Sequence, residues 1–277
     1  MRIQVCGVRG STPAPGAEFV GYGGHTSCLV LSHDGERPSF IIDAGTGIRR
    51  ASDLLDGSPF SGAIVLGHMH WDHTQGLPFF AAGDDPGSRV DLFIPAQGDT
   101  EALVARFMSP PHFPISPREL RGDWNFSSLE PGETMIEGFS VLAREIPHKG
   151  GRTFGYRISD GSSTLAYLSD HWPTSLGPGP EGLGEYHAAA LELAHECDVL
   201  FHDAQYTDDE LPAKAHLGHA SVGYCAGLAA RADAKRLFLY HHDPSRTDDE
   251  IDSIVRSLQD GPVPVEGARQ GMVIDLT

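Results

Sequence analysis

Apolar residues in this chain gather in short unbroken runs, and each run halts at an ionisable side chain. Ser39-Phe40-Ile41-Ile42 halts at Asp43, Ala63-Ile64-Val65-Leu66 at Gly67-His68, and Val141 to Ile146 leads to His148. Leu165-Ala166-Tyr167-Leu168 leads to Asp170, Val199-Leu200-Phe201 meets His202-Asp203, and Leu237-Phe238-Leu239-Tyr240 meets His241. Runs of this length bounded by turn residues predict strands buried on both faces. The opening Met1 to Gly7 predicts another strand. Between the runs, Thr247-Asp248-Asp249-Glu250 matches a capping box, followed by Ile251, Ile254, Val255 and Leu258 at helical spacing. Tyr186 to Glu196 is rich in Ala and Leu, and Ser221 to Ala232 sets Val222, Cys225, Leu228 and Ala229 on one face. Strands covered by helices predict a layered α/β domain. A length of 277 residues suits one large domain or two small ones, and with no clear linker a single domain over 1–277 is expected. From about Pro95 to Pro131 the pattern weakens, and Ser109-Pro110-Pro111-His112-Phe113-Pro114 reads as part of a long loop or insertion beside a site.

Composition narrows the partners. The 38 acidic and 20 basic side chains give a net charge of −18, which argues against a broad nucleic-acid-binding face because phosphates must be neutralised by Lys and Arg. No apolar run approaches the roughly 18–20 residues that span a bilayer. The apolar stretch at the start is too short for a signal peptide. Cysteines at 6, 28, 197 and 225 form no CxxC pair, so reduced thiols and a cytoplasmic location are expected.

Fifteen histidines are unusual, and several cluster. In Gly67-His68-Met69-His70-Trp71-Asp72-His73-Thr74-Gln75-Gly76, three imidazoles and a carboxylate fall within six residues directly after a buried strand. These donors suit first-row divalent metals such as Zn²⁺. His68 and His70 project to one side of an extended chain, while Asp72 and His73 can face a second point after a turn. That arrangement suits two ions rather than one. A loop of surface histidines would not close a buried strand. Taken singly, His148 fits a turn, Asp170 a helix N-cap, and His241 an exposed neighbour of His242. As a set, they are strand ends that one sheet edge can bring together.

The His68, His70, Asp72, His73 pattern resembles the H-x-H-x-D-H motif of the metallo-β-lactamase superfamily. Gly7-Val8-Arg9-Gly10-Ser11-Thr12-Pro13, Gly23-Gly24-His25-Thr26-Ser27 and Asp43-Ala44-Gly45-Thr46-Gly47 look like its phosphodiesterase branch, which includes tRNase Z and cyclic phosphodiesterases. Leu200 to Ala204, Gly218-His219-Ala220-Ser221 and Leu237 to His241 are similar to the same branch. The resemblance implies a four-layer αββα sandwich. It implies one metal ion on His68, His70 and His148, another on Asp72, His73 and His241, and Asp170 bridging both. The Leu-x-Leu-x-His ending selects His241 over His242. Zinc is the expected metal, and N/O ligands also accept Mn²⁺ or Fe²⁺.

The same resemblance makes His219 the general acid, with Asp203 orienting it and Asp72 the other residue close to the chemistry. Asp43 reads as support behind the ligands, or as a simple turn residue. The activity implied is hydrolysis of a small cyclic phosphate or cyclic nucleotide by a metal-bridging hydroxide. Alternatives are tRNA 3′-processing, an ester, thioester, lactam or lactone hydrolase on the same fold, and a sensor without turnover. The acidic charge and the lack of a long basic, glycine-rich arm weigh against tRNA. Family resemblance also raises a homodimer. Weaker features are the two turns Gly23 to Ser27 and Gly150-Gly151-Arg152-Thr153 as phosphate contacts, His112 and Phe113 as a base pocket, and His171 as a neighbour of Asp170.

Overall fold

The structure, a computed structural model, describes residues 1–276. Fourteen strands run in chain order: β1 (Arg2–Gly7), β2 (Cys28–Ser32), β3 (Phe40–Ile42), β4 (Ser61–Val65), β5 (Arg89–Pro95), β6 (Asp123–Leu129), β7 (Gly132–Ile136), β8 (Phe139–Glu145), β9 (Phe154–Ser159), β10 (Thr164–Leu168), β11 (Val199–Asp203), β12 (Leu237–Tyr240), β13 (Val265–Gly267) and β14 (Val273–Asp275). They form two seven-stranded sheets, ordered β14-β1-β2-β3-β4-β5-β6 and β13-β12-β11-β10-β9-β8-β7. Seven α-helices accompany them: α1 (Ile48–Ala51), α2 (Trp71–Thr74), α3 (Thr100–Ala105), α4 (Ala188–Ala194), α5 (Leu211–Lys214), α6 (Val222–Arg231) and α7 (Asp248–Ser257).

Every predicted run forms its strand, and apolar side chains on alternate positions serve two different layers. Phe40, Ile42, Val65, Tyr156, Tyr167, Phe201 and Tyr240 point into the core between the sheets. Ile41, Ile64 and Leu66 face outward under α1, packed with Ile48 and Ala51. Ala166, Leu168, Leu200 and Leu239 face outward on the other side, under Leu193 of α4 and Leu228 of α6. Both faces of these strands are therefore apolar, which is why the runs are continuous. The result is an αββα sandwich.

The sheets share one pairing pattern. Each has three antiparallel pairings on one side and three parallel ones on the other, and the change falls at β3 in one sheet and β10 in the other. Asp43 follows β3 with φ 60° and Asp170 follows β10 with φ 58°. His241, just past β12, has φ 56°. Left-handed backbone at three non-glycine residues is strain of the kind that concentrates at functional sites.

The stretch 95–131, expected as a long loop or insertion, has elements of its own. It carries α3, a 3₁₀ turn at Pro117–Glu119 and the edge strand β6. Strand β6 is only partly buried, and Asn125, Ser127 and Ser128 interrupt any apolar run there. Helix α3 spans only 6 residues, too few for a periodic signal. The remaining segment, Ser109 to Pro114, does run without regular structure.

Candidate metal centre

The strand ends converge at one edge of the sandwich. The loop after β4 brings His68 and His70, and α2 turns Asp72 and His73 toward a second point; the His73 N–H bonds the His70 carbonyl at 3.1 Å. The opposite sheet supplies His148 after β8, Asp170 after β10 and His241 after β12. Among the described residues these donors fall into two groups of four, His68, His70, His148 and Asp170, and Asp72, His73, Asp170 and His241, each with ligand atoms within 4.8 Å of one another, and His241 also forms a third such group with Asp203 and His219. Asp170 belongs to both groups of four. Its Oδ1 lies 3.8 Å from His68 Nε2 and 3.6 Å from His148 Nε2. Its Oδ2 lies 2.9 Å from His73 Nε2 and 3.2 Å from His241 Nε2. Each group of four draws two donors from each sheet's half of the chain.

Several of these contacts are unsuited to hydrogen bonding. Both ring nitrogens of His68 and the Nε2 of His73 are buried without an aligned partner. A buried polar group left unpaired costs about 1–3 kcal/mol, so lone pairs converging on common points indicate ligands for a cation. The donor set of imidazoles and carboxylates fits divalent metal ions. Electrostatics divide along the same line. Burial, with neighbouring His73, pushes the His68 imidazole well below its ordinary pKa. His73 is also buried, yet the carboxylates of Asp72, Asp43 and Asp170 outweigh that and raise it well above. His241 is pushed up to about 9 because Asp170 and the bond to Asp72 overcome its burial. Asp72 and Asp170 are held below the usual carboxylate range, the facing imidazoles outweighing desolvation.

A supporting layer fixes the donors. Asp43 accepts from His73 Nδ1 at 2.7 Å, from the Gly67 N–H at 2.7 Å and from the Tyr167 hydroxyl at 2.6 Å. It therefore does more than shape a turn. The Gly218 carbonyl faces His148 Nδ1 at 2.7 Å and Gln205 Oε1 faces His241 Nδ1 at 3.1 Å, setting each ring's tautomer. The Ser11 N–H donates to Asp72 Oδ2 at 2.6 Å, with Ser11 itself at φ 62°. Gly10 lies so close that a Cβ there would sit 2.4 Å from His241 Nδ1.

His219 sits between a 3₁₀ turn and the start of α6, whose Ser221 caps the Tyr224 N–H. Its Nδ1 is 2.9 Å from Asp203 Oδ2 and its ring lines the cavity over the donors. Asp203 also accepts from the peptide N–H groups of His171 and Gln205, both at 3.1 Å. His242 turns away, its Nε2 3.0 Å from the Ala268 carbonyl. His171 Nδ1 hydrogen-bonds His202 Nε2 at 3.1 Å, and His171 joins neither donor group.

The two glycine turns serve the scaffold. His25 and Thr26 bond Thr46, and the Arg152 guanidinium is taken up by Glu145, Glu130 and the Ala96 carbonyl. Ser11, Gln205 and Tyr167 are contacts no local sequence signal identifies, since each acts across 60 or more residues: Ser11 on Asp72, Gln205 on Ser11 and Tyr167 on Asp43, separated by 61, 194 and 124 positions.

Fold and donor set define a metal-dependent hydrolase. A family model described as "Beta-lactamase superfamily domain" matches residues 39–242, and the chain belongs to that superfamily, with the metallo-β-lactamase fold. The ribonuclease Z of Natronomonas pharaonis is 23% identical, covering 91% of this chain and 92% of its own. An uncharacterized protein of Mycobacterium tuberculosis is 27% identical, covering 95% and 88%. Among solved structures, a diphosphatase from the PhnP family superposes with TM-score 0.73 at 18% identity over 100% of this chain and 98% of that one. The short form of human tRNase Z gives 0.68 at 20% identity over 100% of both chains. The four cysteines are free and buried, and no helix is long and apolar enough to cross a membrane among the described residues.

Proposed function

We propose that the chain is a phosphodiesterase that holds two divalent ions, zinc foremost, and opens a small cyclic phosphodiester in the cytoplasm. The observation that carries this reading is the single carboxylate of Asp170 facing two donor groups, with a carboxylate-paired imidazole at the rim. Bound ions would supply Lewis acidity and a nucleophile active at neutral pH. His68, His70 and His148 would hold one ion, Asp72, His73 and His241 the other, and Asp170 both.

The chain's own residues supply orientation and the proton. Asp203 accepts from His219 Nδ1 and orients the ring, so that an Nε2 proton is directed into the cavity. As the P–O bond breaks, that proton passes to the departing alkoxide oxygen, and the ring is left neutral. The Ser11 N–H keeps Asp72 oriented throughout.

The names of the ribonuclease Z relatives support a second reading, cleavage of precursor tRNA; the net charge of −18 weighs against it. Metal analysis of the purified protein, with bis-p-nitrophenyl phosphate, cyclic nucleotides and precursor tRNA assayed in parallel, separates the two. Turnover of cyclic substrates with bound metal is expected. Efficient tRNA cleavage that falls steeply with salt would replace the first reading with the second.

A further inference from the structure

Trp71 follows His70 inside the histidine motif, yet its side chain is 76% exposed. It lines the cavity over the metal donors, together with Ser11 and His219. It also forms a wall of a second cavity of 340 Å³, shared with Phe79, Arg106, Phe107, His112 and Phe113. That volume lies within the range of small-ligand sites, roughly 300–1,000 Å³. Phe79, itself 57% exposed, meets Phe113 edge-on with ring centroids 5.7 Å apart. Such an aromatic groove, open to solvent and sharing a wall with a reaction centre, has flat faces for a planar ring. It also has polar groups on its edge.

Arg106 fixes the direction in which a ligand would lie. It lines this groove and also the neighbouring cavity that reaches His70 and Gly150. Nearby Arg118 and Arg121 are tied to Glu101 and Asp84, whereas no carboxylate pairs with Arg106 among the described residues. In so acidic a chain, an unneutralised guanidinium between an aromatic groove and the metal donors is placed for sugar or phosphate oxygens.

We infer that Trp71, Phe79 and Phe113 form a subsite for the nucleobase of a nucleoside phosphodiester, with Arg106 over its sugar–phosphate. The inference rests on the phosphodiesterase reading and names its substrate class. The stretch that sequence patterning leaves without an element, Ser109 to Pro114, thereby becomes one wall of the specificity pocket.

The test compares adenosine 3′,5′-cyclic phosphate with 1-O-methylribofuranose 3′,5′-cyclic phosphate, which has the same reacting ring and no base. In zinc-loaded protein, the base-bearing ester is expected to have the higher kcat/KM. The ratio is expected to fall about tenfold or more in Trp71→Ala and in Phe113→Ala, as loss of a base–aromatic stack does. Phe113→Ala lies away from the motif and guards against a local disturbance in Trp71→Ala. A ratio near one in the parent protein, or a ratio unchanged in Phe113→Ala, overturns the subsite and leaves the phosphodiesterase reading intact. Hydrolysis of neither ester defeats that reading instead. The subsite is then decided by adenosine quenching of tryptophan fluorescence in metal-free protein. Saturable quenching lost in Phe113→Ala supports it, and absence of quenching overturns it.

Discussion

An imidazole with both nitrogens buried and unbonded, as in His68, is favourable only when something else occupies the space it faces. His68→Ala and Asp170→Ala are therefore expected to abolish turnover and to lower metal content measured by mass spectrometry of the purified protein. His219 differs in kind, because its nearest partner is the Asp203 carboxylate. His219→Ala should keep its metal and lose about 10²–10⁴-fold in kcat, most severely for esters with poor leaving groups. Equal loss of metal in that variant would make His219 a ligand and remove its role as acid. Asp43 acts one step further out, through His73. Asp43→Asn is expected to weaken metal affinity about 10–100-fold in chelator competition while the protein stays folded. Unchanged affinity would reduce Asp43 to a turn residue.

Elements beyond the site carry stability without chemistry, and α7 is the clearest case. Thr247 Oγ1 accepts from the Glu250 N–H while the Glu250 carboxylate accepts from the Thr247 N–H at 2.8 Å. Thr247→Ala should cost about 1 kcal/mol in urea unfolding and leave kcat unchanged; a change in kcat would mean α7 reaches the site. This helix, the strand ends and the clustering of the seven donors were legible in the sequence because strands buried on both faces read as unbroken apolar runs with polar donors just after them. Strand β6 was not legible. It forms the open edge of its sheet, so polar residues at 125, 127 and 128 meet water and dilute the pattern. Ser11, Gln205 and Tyr167 were hidden for another reason: their partners are set by how the two sheets stack, and local spacing holds no record of that.

At the scale of the whole molecule, charge and metal are linked through pH. In the metal-free protein, carboxylates raise His73 above its ordinary pKa and His241 to about 9. Both rings are then protonated near neutral pH and must lose those protons to become ligands. Calorimetric titration with zinc in buffers of different ionisation enthalpy should show about two protons released at pH 7.5; no release would mean both rings are already neutral. The sign for stability follows from the same shifts. A raised histidine pKa stabilises the fold fully below its unfolded value, near 6.5, and that contribution disappears as pH rises through about 9. In EDTA, Tm is expected to fall across that window, and saturating zinc should reverse the fall. A flat Tm in EDTA would show that these two rings are not charged in the empty protein.

Each group of four donors is made of two side chains from before residue 131 and two from after it. Neither portion of the polypeptide alone owns a complete cage. If the backbone were severed in the turn between β6 and β7, each fragment would keep half of both donor groups, and bound cations would add to the apolar core and the β1–β14 pairing in holding the fragments together. Cations held by both donor groups would thus also act as a fastener between the lobes, and stripping metal from the protein would loosen the molecule along its midline.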